Sequence, residues 1–512
     1  MKRNKNIFLL LIAVLLTASS CNKFLDVNDD PNRVTDKNVT PNLIFTQAEN
    51  AVGYRQAARF IFLNNWMGYW SRSGTFIVEQ EETTYKISST FPEANWNYTY
   101  NTLFDLYLTK TKALAVGDSV LAGSAMVLSA KLWQEMVDQF GNIPYTKAFD
   151  YTINPHPAYD DASAIYADLL VQLDAAIAYL NAVAPKSSFA KSDIIFARGG
   201  NVEDAAISWK KLANTIKLRL FLRQSEKSFV PSAAQMAKIA TDGGFFGAGE
   251  DVSVNPGYSN STDKQNPFYS LYGKTPSGAP ATTNNKPNNY FVKTILGNTD
   301  PRLTRFFAAT IAGTDYGALG GNHTDPNATI VGSEIGPGLA GSPEQDQFLI
   351  PSFESLFFQA EATVRGWLPG GDAGAQALFE SAMKQSFRWL KTSKTPTLLS
   401  GDALADSLYS AYLSAVSTAK WANSGPTAAE KIIFIAYQKY IALCGIDPLE
   451  SWSDMRRLGI FIPAGYLSWN AQRAASLPNV LTYPQSEVTT NKANVPERNT
   501  TTIFTEKLFW QP

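Results

Sequence analysis

Apolar positions recur along most of the chain at the spacing of an α-helix. Within residues 41–70, Phe62, Trp66, Tyr69 and Trp70 stand at i, i+4, i+7 and i+8, one stripe of a helix. Residues 119–140 place Leu121, Leu128, Leu132, Met136 and Phe140 on a common face. Residues 161–181 repeat the pattern with Ile165, Leu169, Leu173, Ile177 and Leu180, behind the acidic start Asp160-Asp161. In 202–223, Asn201 is a helix cap by type and position, and Trp209, Leu212, Ala213, Ile216 and Leu220 form the apolar stripe. Similar spacing predicts helices over 351–366, 374–391, 402–420 and 427–444. Alternating strand-like runs are few. The expected fold is therefore mainly α with a few short strands. Paired helices of similar length suggest hairpins stacked in the tetratricopeptide manner, although no clean 34-residue period is present.

The pattern breaks between about 243 and 345. That stretch holds 16 of the 33 glycines, in runs such as Gly273-Lys-Thr-Pro-Ser-Gly-Ala-Pro, and no tryptophan. Phenylalanine and tyrosine are interleaved through it, which predicts an ordered, irregular lobe laid over the helices rather than a disordered linker.

The first residues read as an export signal. Lys2, Arg3 and Lys5 precede the apolar run Ile7 to Leu16, and small residues then lead to Cys21. The apolar run is half of what a membrane span needs. A cysteine directly after the small residues fits bacterial lipoprotein processing, in which the thiol takes a lipid and becomes the new N-terminus. Ala18 stands where leucine is commonest in such signals, and an ordinary secretory signal with a chance cysteine is the competing reading. On this reading residues 1–20 are the signal and 21–512 the mature chain, read as a single unit. The leader behind Cys21 is acidic, with Asp26, Asp29 and Asp30, but it lacks the spacing of a calcium loop.

Charge narrows the partners. The chain carries 44 basic and 45 acidic residues; without Lys2, Arg3 and Lys5 the balance is 41 to 45, or −4. Nothing in that balance attracts nucleic acid. With Cys21 lipidated, Cys444 has no disulfide partner; within its apolar run it reads as a small buried hydrophobe. The two histidines, His156 and His323, are too few for a His-based zinc site, and neither a nucleophile elbow nor a phosphate loop occurs. No cofactor or metal is expected. A carboxylate pair for hydrolysis leaves no sequence motif and stays open as an alternative.

The aromatic content, 12% with 11 Trp, 22 Tyr and 30 Phe, suits either a large helical core or recognition of sugars, whose C–H faces stack on rings. Asn95-Trp96-Asn97-Tyr98-Thr99-Tyr100 interleaves rings with amides and is the first candidate ligand contact, through Trp96, Asn97 and Tyr98. The competing reading is a helix start or short strand whose rings are half buried. Tyr69 and Trp70 lie beside Ser71-Arg72-Ser73-Gly74, where the helix should end and Trp70 could be exposed. In the irregular lobe Tyr269, Tyr272 and Tyr290, with Asn288 and Asn289, complete the candidate set.

An ordered series of stretches resembles the SusD/RagB family of nutrient-binding outer-membrane lipoproteins. It runs through Ala130 to Tyr145, with Trp133, Asp138 and Phe140-Gly141-Asn142-Ile143-Pro144-Tyr145, then Trp209 to Leu220, then Asp300-Pro301-Arg302-Leu303 leading into Phe306-Phe307. It continues with Ser352 to Ala362 and Arg365-Gly366-Trp367, Gln438 to Ala442 with Lys439 and Tyr440, Glu450 to Gly459, and Tyr483-Pro484 with Ser486-Glu487. Leu458 departs from the family's more frequent threonine. Most of these blocks read as scaffold: Gly141 and Pro144 stop a helix, and Glu361, Arg456 and Arg457 in apolar surroundings call for inter-helix ion pairs. The resemblance implies a helical fold with a loop-rich lobe and a lipid-tethered position on the outer face of the outer membrane. It also implies a SusC-like TonB-dependent barrel as partner, and an oligosaccharide, or in some relatives a peptide, as ligand.

Overall fold

The computed structural model describes residues 39–72, 80–182, 187–288, 290–308, 333–391, 402–460 and, apart from 469 and 471, 468–512. The expected leader, Cys21, His323 and Asn289 lie outside the described residues.

Four long helices form the first half of the body: α1 (Pro41–Ala58), α3 (Glu93–Ala115), α4 (Ser119–Phe140) and α5 (Ala162–Asn181), with the short α2 (Ile61–Trp66) after α1. Next comes α6 (Val202–Arg223). Consecutive long helices pack side by side, α3 on α4 and α4 on α5, as helical hairpins do. The caps follow the sequence. Asn201 accepts from the backbone N–H of Glu203 at 2.7 Å, and Asp161 from Ser163 at 2.9 Å, each satisfying donors that a helix start leaves orphaned. Gly141 ends α4 at φ 73°, a conformation that side chains oppose, with its N–H on the Val137 carbonyl at 2.8 Å. By length and composition α5 could cross a membrane, but its stripe from Ile165 to Leu180 is buried against α4 and α6.

The stripe across 41–70 is not one helix. The chain turns at Arg59 and Phe60, restarts as α2, and passes through Gly68 at φ 68° into strand β1 (Trp70–Arg72). Similarly, the helix expected over 402–420 stops at Ala415, and two short 3₁₀ turns follow. Residues 95–100, left open between helix start and short strand, lie in the first turns of α3.

The irregular lobe holds β2 (Val252–Val254), α7 (Pro267–Tyr272) and β3 (Asn285–Pro287). Its strands tie it to the body: β3 pairs antiparallel with β1, Trp70 opposite Pro287, and β2 pairs with β4 (Gln347–Ile350). Gly53 of α1 permits this closeness, since a Cβ there would stand 2.6 Å from Val254 Cγ1. Phe246, Phe268, Tyr272, Phe291 and Phe306 of the lobe join the same apolar core as the helices.

Helices α8 (Ser352–Val364), α9 (Gly371–Trp389), α10 (Asp402–Ala415), α11 (Ala428–Ala442) and α12 (Pro448–Leu458) complete the body. Charged residues run through its interior. Arg457 forks onto Glu361 at 2.6 and 2.8 Å, and Lys439 bridges Glu450 at 2.9 Å and Asp454 at 2.7 Å. Arg223 meets Glu450 and Asp138. Burial alone would raise the Glu135 carboxyl, but Lys131, Arg55 and Arg219 hold it at about 2. Arg456 departs from the expected ion pairing. It donates to the carbonyls of Asp138 and Asn479 at 2.7 and 2.8 Å and lies 3.5 Å above the Trp452 ring, so its charge is solvated by backbone and π-face. Cys444 is fully buried, and burial pushes its thiol well up, as expected of an inert core cysteine.

Candidate functional site

The clearest concave site is a cleft of about 370 Å³ between α3, α4, α5 and the loop after α4. Helical spacing aims the side chains. Helix α3 supplies Leu103, Tyr107 and Lys110; α4 supplies Met126, Ser129, Ala130 and Trp133; α5 supplies Asp168, Leu169 and Gln172. The loop adds Tyr145, Thr146, Phe149 and Asp150. Asp160 staples that loop in place: its carboxylate accepts from the N–H groups of Tyr145 at 2.8 Å and Thr146 at 2.9 Å, and from the Thr146 hydroxyl at 2.8 Å.

The wall is aromatic and rigid. Trp133 meets Tyr145 edge-on at 5.0 Å and Phe149 at 5.9 Å, while Tyr107, 45% exposed, leans on Phe149 at 5.4 Å. The Tyr145 hydroxyl donates to Asp168 at 2.5 Å, and burial together with that carboxylate pushes its own ionisation up, so it stays a neutral donor. The side chains of Lys110, Ser129 and Gln172 line the cleft with no hydrogen-bond partner among the described residues. Rings for an apolar face and uncommitted polar groups around them are what a saccharide requires.

Of the residues expected to touch ligand, four are interior. Trp96 is 3% exposed, between Tyr100 at 4.8 Å and Phe140 at 4.9 Å. It is the back row of the cleft wall, since Tyr100 in turn meets Trp133 at 5.5 Å. Trp70, expected at an exposed helix end, is fully buried beneath Phe268 and Tyr272 of the lobe. Tyr69 is fully buried, donating to the Tyr440 carbonyl at 2.7 Å. The hydroxyl of Tyr272 is spent on the Ala57 carbonyl at 3.0 Å. Tyr269 and Tyr290 are half-buried in the lobe, and Asn288 is held by Ser71 at 2.9 Å.

Tyr98 and Asn97 do reach the surface. Tyr98 packs on Tyr54 of α1 at 5.5 Å, with the Arg59 guanidinium 5.1 Å above its ring, and burial pushes its hydroxyl up to about 12. Asn97 is exposed and donates to Glu93 at 3.1 Å. Tyr98 and Tyr107 lie nine residues apart on α3, roughly half a turn out of phase, so the Tyr98 shelf and the cleft occupy opposite faces of one helix. Trp133 and Tyr145 were legible as family blocks but read as scaffold; their role as a wall depends on α3 and α5.

Residues 31–499 match the family model SusD-like, described as starch-binding and associating with the outer membrane. No curated protein matches the chain. Among solved structures, a SusD/RagB family protein from Bacteroides thetaiotaomicron superposes with TM-score 0.71 at 20% identity, covering 92% of this chain and 99% of that one. A SusD homologue from Bacteroides fragilis gives 0.70 at 21%, again over 92% and 99%. A chitin-binding SusD homologue from Flavobacterium johnsoniae gives 0.65 at 20%, over 91% and 97%. With nearly its whole length inside the family model, and the helical fold of those structures shared, the chain belongs to the SusD-like family of outer-membrane-associated binding proteins.

Proposed function

We propose that this protein captures oligosaccharides at the outer surface of the outer membrane, held there by a lipid on Cys21, and passes them to a SusC-like TonB-dependent barrel. The observation that carries the ligand class is the cleft between α3, α4 and α5, where Tyr107, Trp133, Tyr145 and Phe149 surround the uncommitted Lys110, Ser129 and Gln172. The family's starch-binding description and the chitin-binding relative support a glycan over a peptide. The cleft also holds two carboxylates, Asp150 and Asp168, but each already accepts a hydrogen bond, from Asn154 at 2.7 Å and from Tyr145. We read them as binding groups and assign no reaction to the site.

Calorimetric titration with starch- and chitin-derived oligosaccharides, with peptides as the other arm, tests the proposal. Tyr107→Ala removes an exposed ring without opening the core, and it should weaken saccharide binding about tenfold at unchanged melting temperature; ring stacking is worth on the order of 1–3 kcal/mol. Peptide binding without saccharide binding would replace the glycan reading, and product formation in the same mixtures would overturn the binding-only one.

A further inference from the structure

The Tyr98 shelf carries a second, separate piece of chemistry. The other arginines on or near α1 and α3 are committed: Arg55 to Glu135 and to Thr99 at 2.7 Å, Arg72 to Glu82 at 2.7 Å. Arg59 forms no ion pair among the described residues. It is half-buried, its Nε is shut off from solvent with no acceptor, and its guanidinium lies 5.1 Å from the Tyr98 ring centre and 5.9 Å from that of Tyr54. The two rings, 5.5 Å apart, hold the guanidinium in one place, so little freedom is lost when it is used. Tyr54 is itself 36% exposed, and Tyr258 of the lobe comes near through Asn50, at 3.4 Å from its hydroxyl. Asp105, two turns along the same face of α3, is half-buried and forms no ion pair with Arg59.

An unpaired guanidinium fixed on two partly exposed phenol rings is an anion site with a stacking floor. A planar fork matches a carboxylate through two parallel hydrogen bonds, and the rings suit the C–H face of a sugar. We propose that Arg59, with Tyr54 and Tyr98, recognises the carboxylate of a uronic acid residue, so that the protein selects acidic over neutral saccharides. This rests on the reading of the chain as a saccharide-binding protein, but it uses the face of α3 opposite the cleft.

The test compares three probes on the purified protein by calorimetry. They are a galacturonic acid trisaccharide, the same trisaccharide with its carboxyl groups reduced to alcohols, and a tripeptide with a free C-terminal carboxylate. The acidic sugar should bind about tenfold or more tightly than its reduced form, and added salt should narrow the gap. Arg59→Gln should abolish that preference while leaving binding of the reduced sugar and the melting temperature unchanged, and Arg59→Lys should restore part of it. Equal affinity for the acidic and reduced sugars, or a preference that survives Arg59→Gln, overturns the proposal and leaves the saccharide reading standing. Binding of the tripeptide in preference to the acidic sugar overturns it in favour of a peptide terminus. Failure of both trisaccharides to bind overturns this proposal, while the saccharide reading stands or falls on the starch- and chitin-derived probes.

Discussion

Single residues in the interior decide how this protein responds to pH. Asp447 caps α12, accepting from the Glu450 N–H at 3.1 Å, and burial raises its carboxyl to about 6. That lies above the value of about 3.9 for an exposed aspartate, so the folded chain binds the proton more strongly than the unfolded one. The stability this group contributes is fully present below about pH 4 and is lost as pH rises through about 6. Asp447→Asn keeps a cap oxygen and removes the titration. It should raise stability by about 1–3 kcal/mol at pH 8 and flatten the wild-type decline in melting temperature between pH 4.5 and 7. An unchanged pH profile in the variant would show that another group controls the decline. Glu354 shifts in the same direction, its fully buried carboxylate oxygens lacking a hydrogen-bond partner among the described residues, so part of the decline remains in the variant. Trp96 teaches a different lesson at this scale. A ring beside two amides looked like a sugar platform, yet α3 turns Asn97 outward and Trp96 inward, a 100° step per residue.

At the scale of elements, the cleft is a product of three helices and one stapled loop. Asp160 ties the loop at Tyr145 and Thr146 to the start of α5, accepting from their two backbone N–H groups and from the Thr146 hydroxyl. Asp160→Ala should therefore free Tyr145 and Phe149 to move, lowering saccharide affinity severalfold while leaving the apolar stripes of α3, α4 and α5 packed. Far-ultraviolet circular dichroism and calorimetry on the same sample would separate the two effects; loss of helicity would reassign Asp160 to the fold. The ion pairs between α8, α11 and α12 behave differently, because they are deep inside. Arg457→Ala removes the fork from Glu361 and one cation from Asp454, leaving them Arg365 and Lys439, and breaking such a buried pair costs about 3–5 kcal/mol. Thermal melting should show that loss with saccharide affinity intact in the fraction that remains folded.

At the scale of the whole molecule, the proposed tether at Cys21 and the proposed sites have to work on the same membrane face. Cys21→Ala in cells should release folded protein that still binds saccharide; protein that stayed on the membrane without its barrel partner would sink the tether. Much of the architecture was legible beforehand. The helices at 119–140 and 202–223 have the expected bounds, because amphipathic period and caps are local and every residue needed to specify them lies within the helix. The family resemblance was legible for a related reason: its blocks stop helices and pair buried charges, and the residue types able to do either are few. Exposure was not legible. Trp70 ends in the core because Phe268 and Tyr272, nearly 200 residues later, are laid over it by the pairing of β1 with β3. Trp133 and Tyr145 line a cleft because α3 and α5 leave a gap beside them. By itself the sequence determined most of the long helices, their caps and the family, since short-range periodicity and backbone chemistry suffice for these. Only the tertiary structure decided which rings meet solvent, because burial belongs to whatever segment comes to cover a residue.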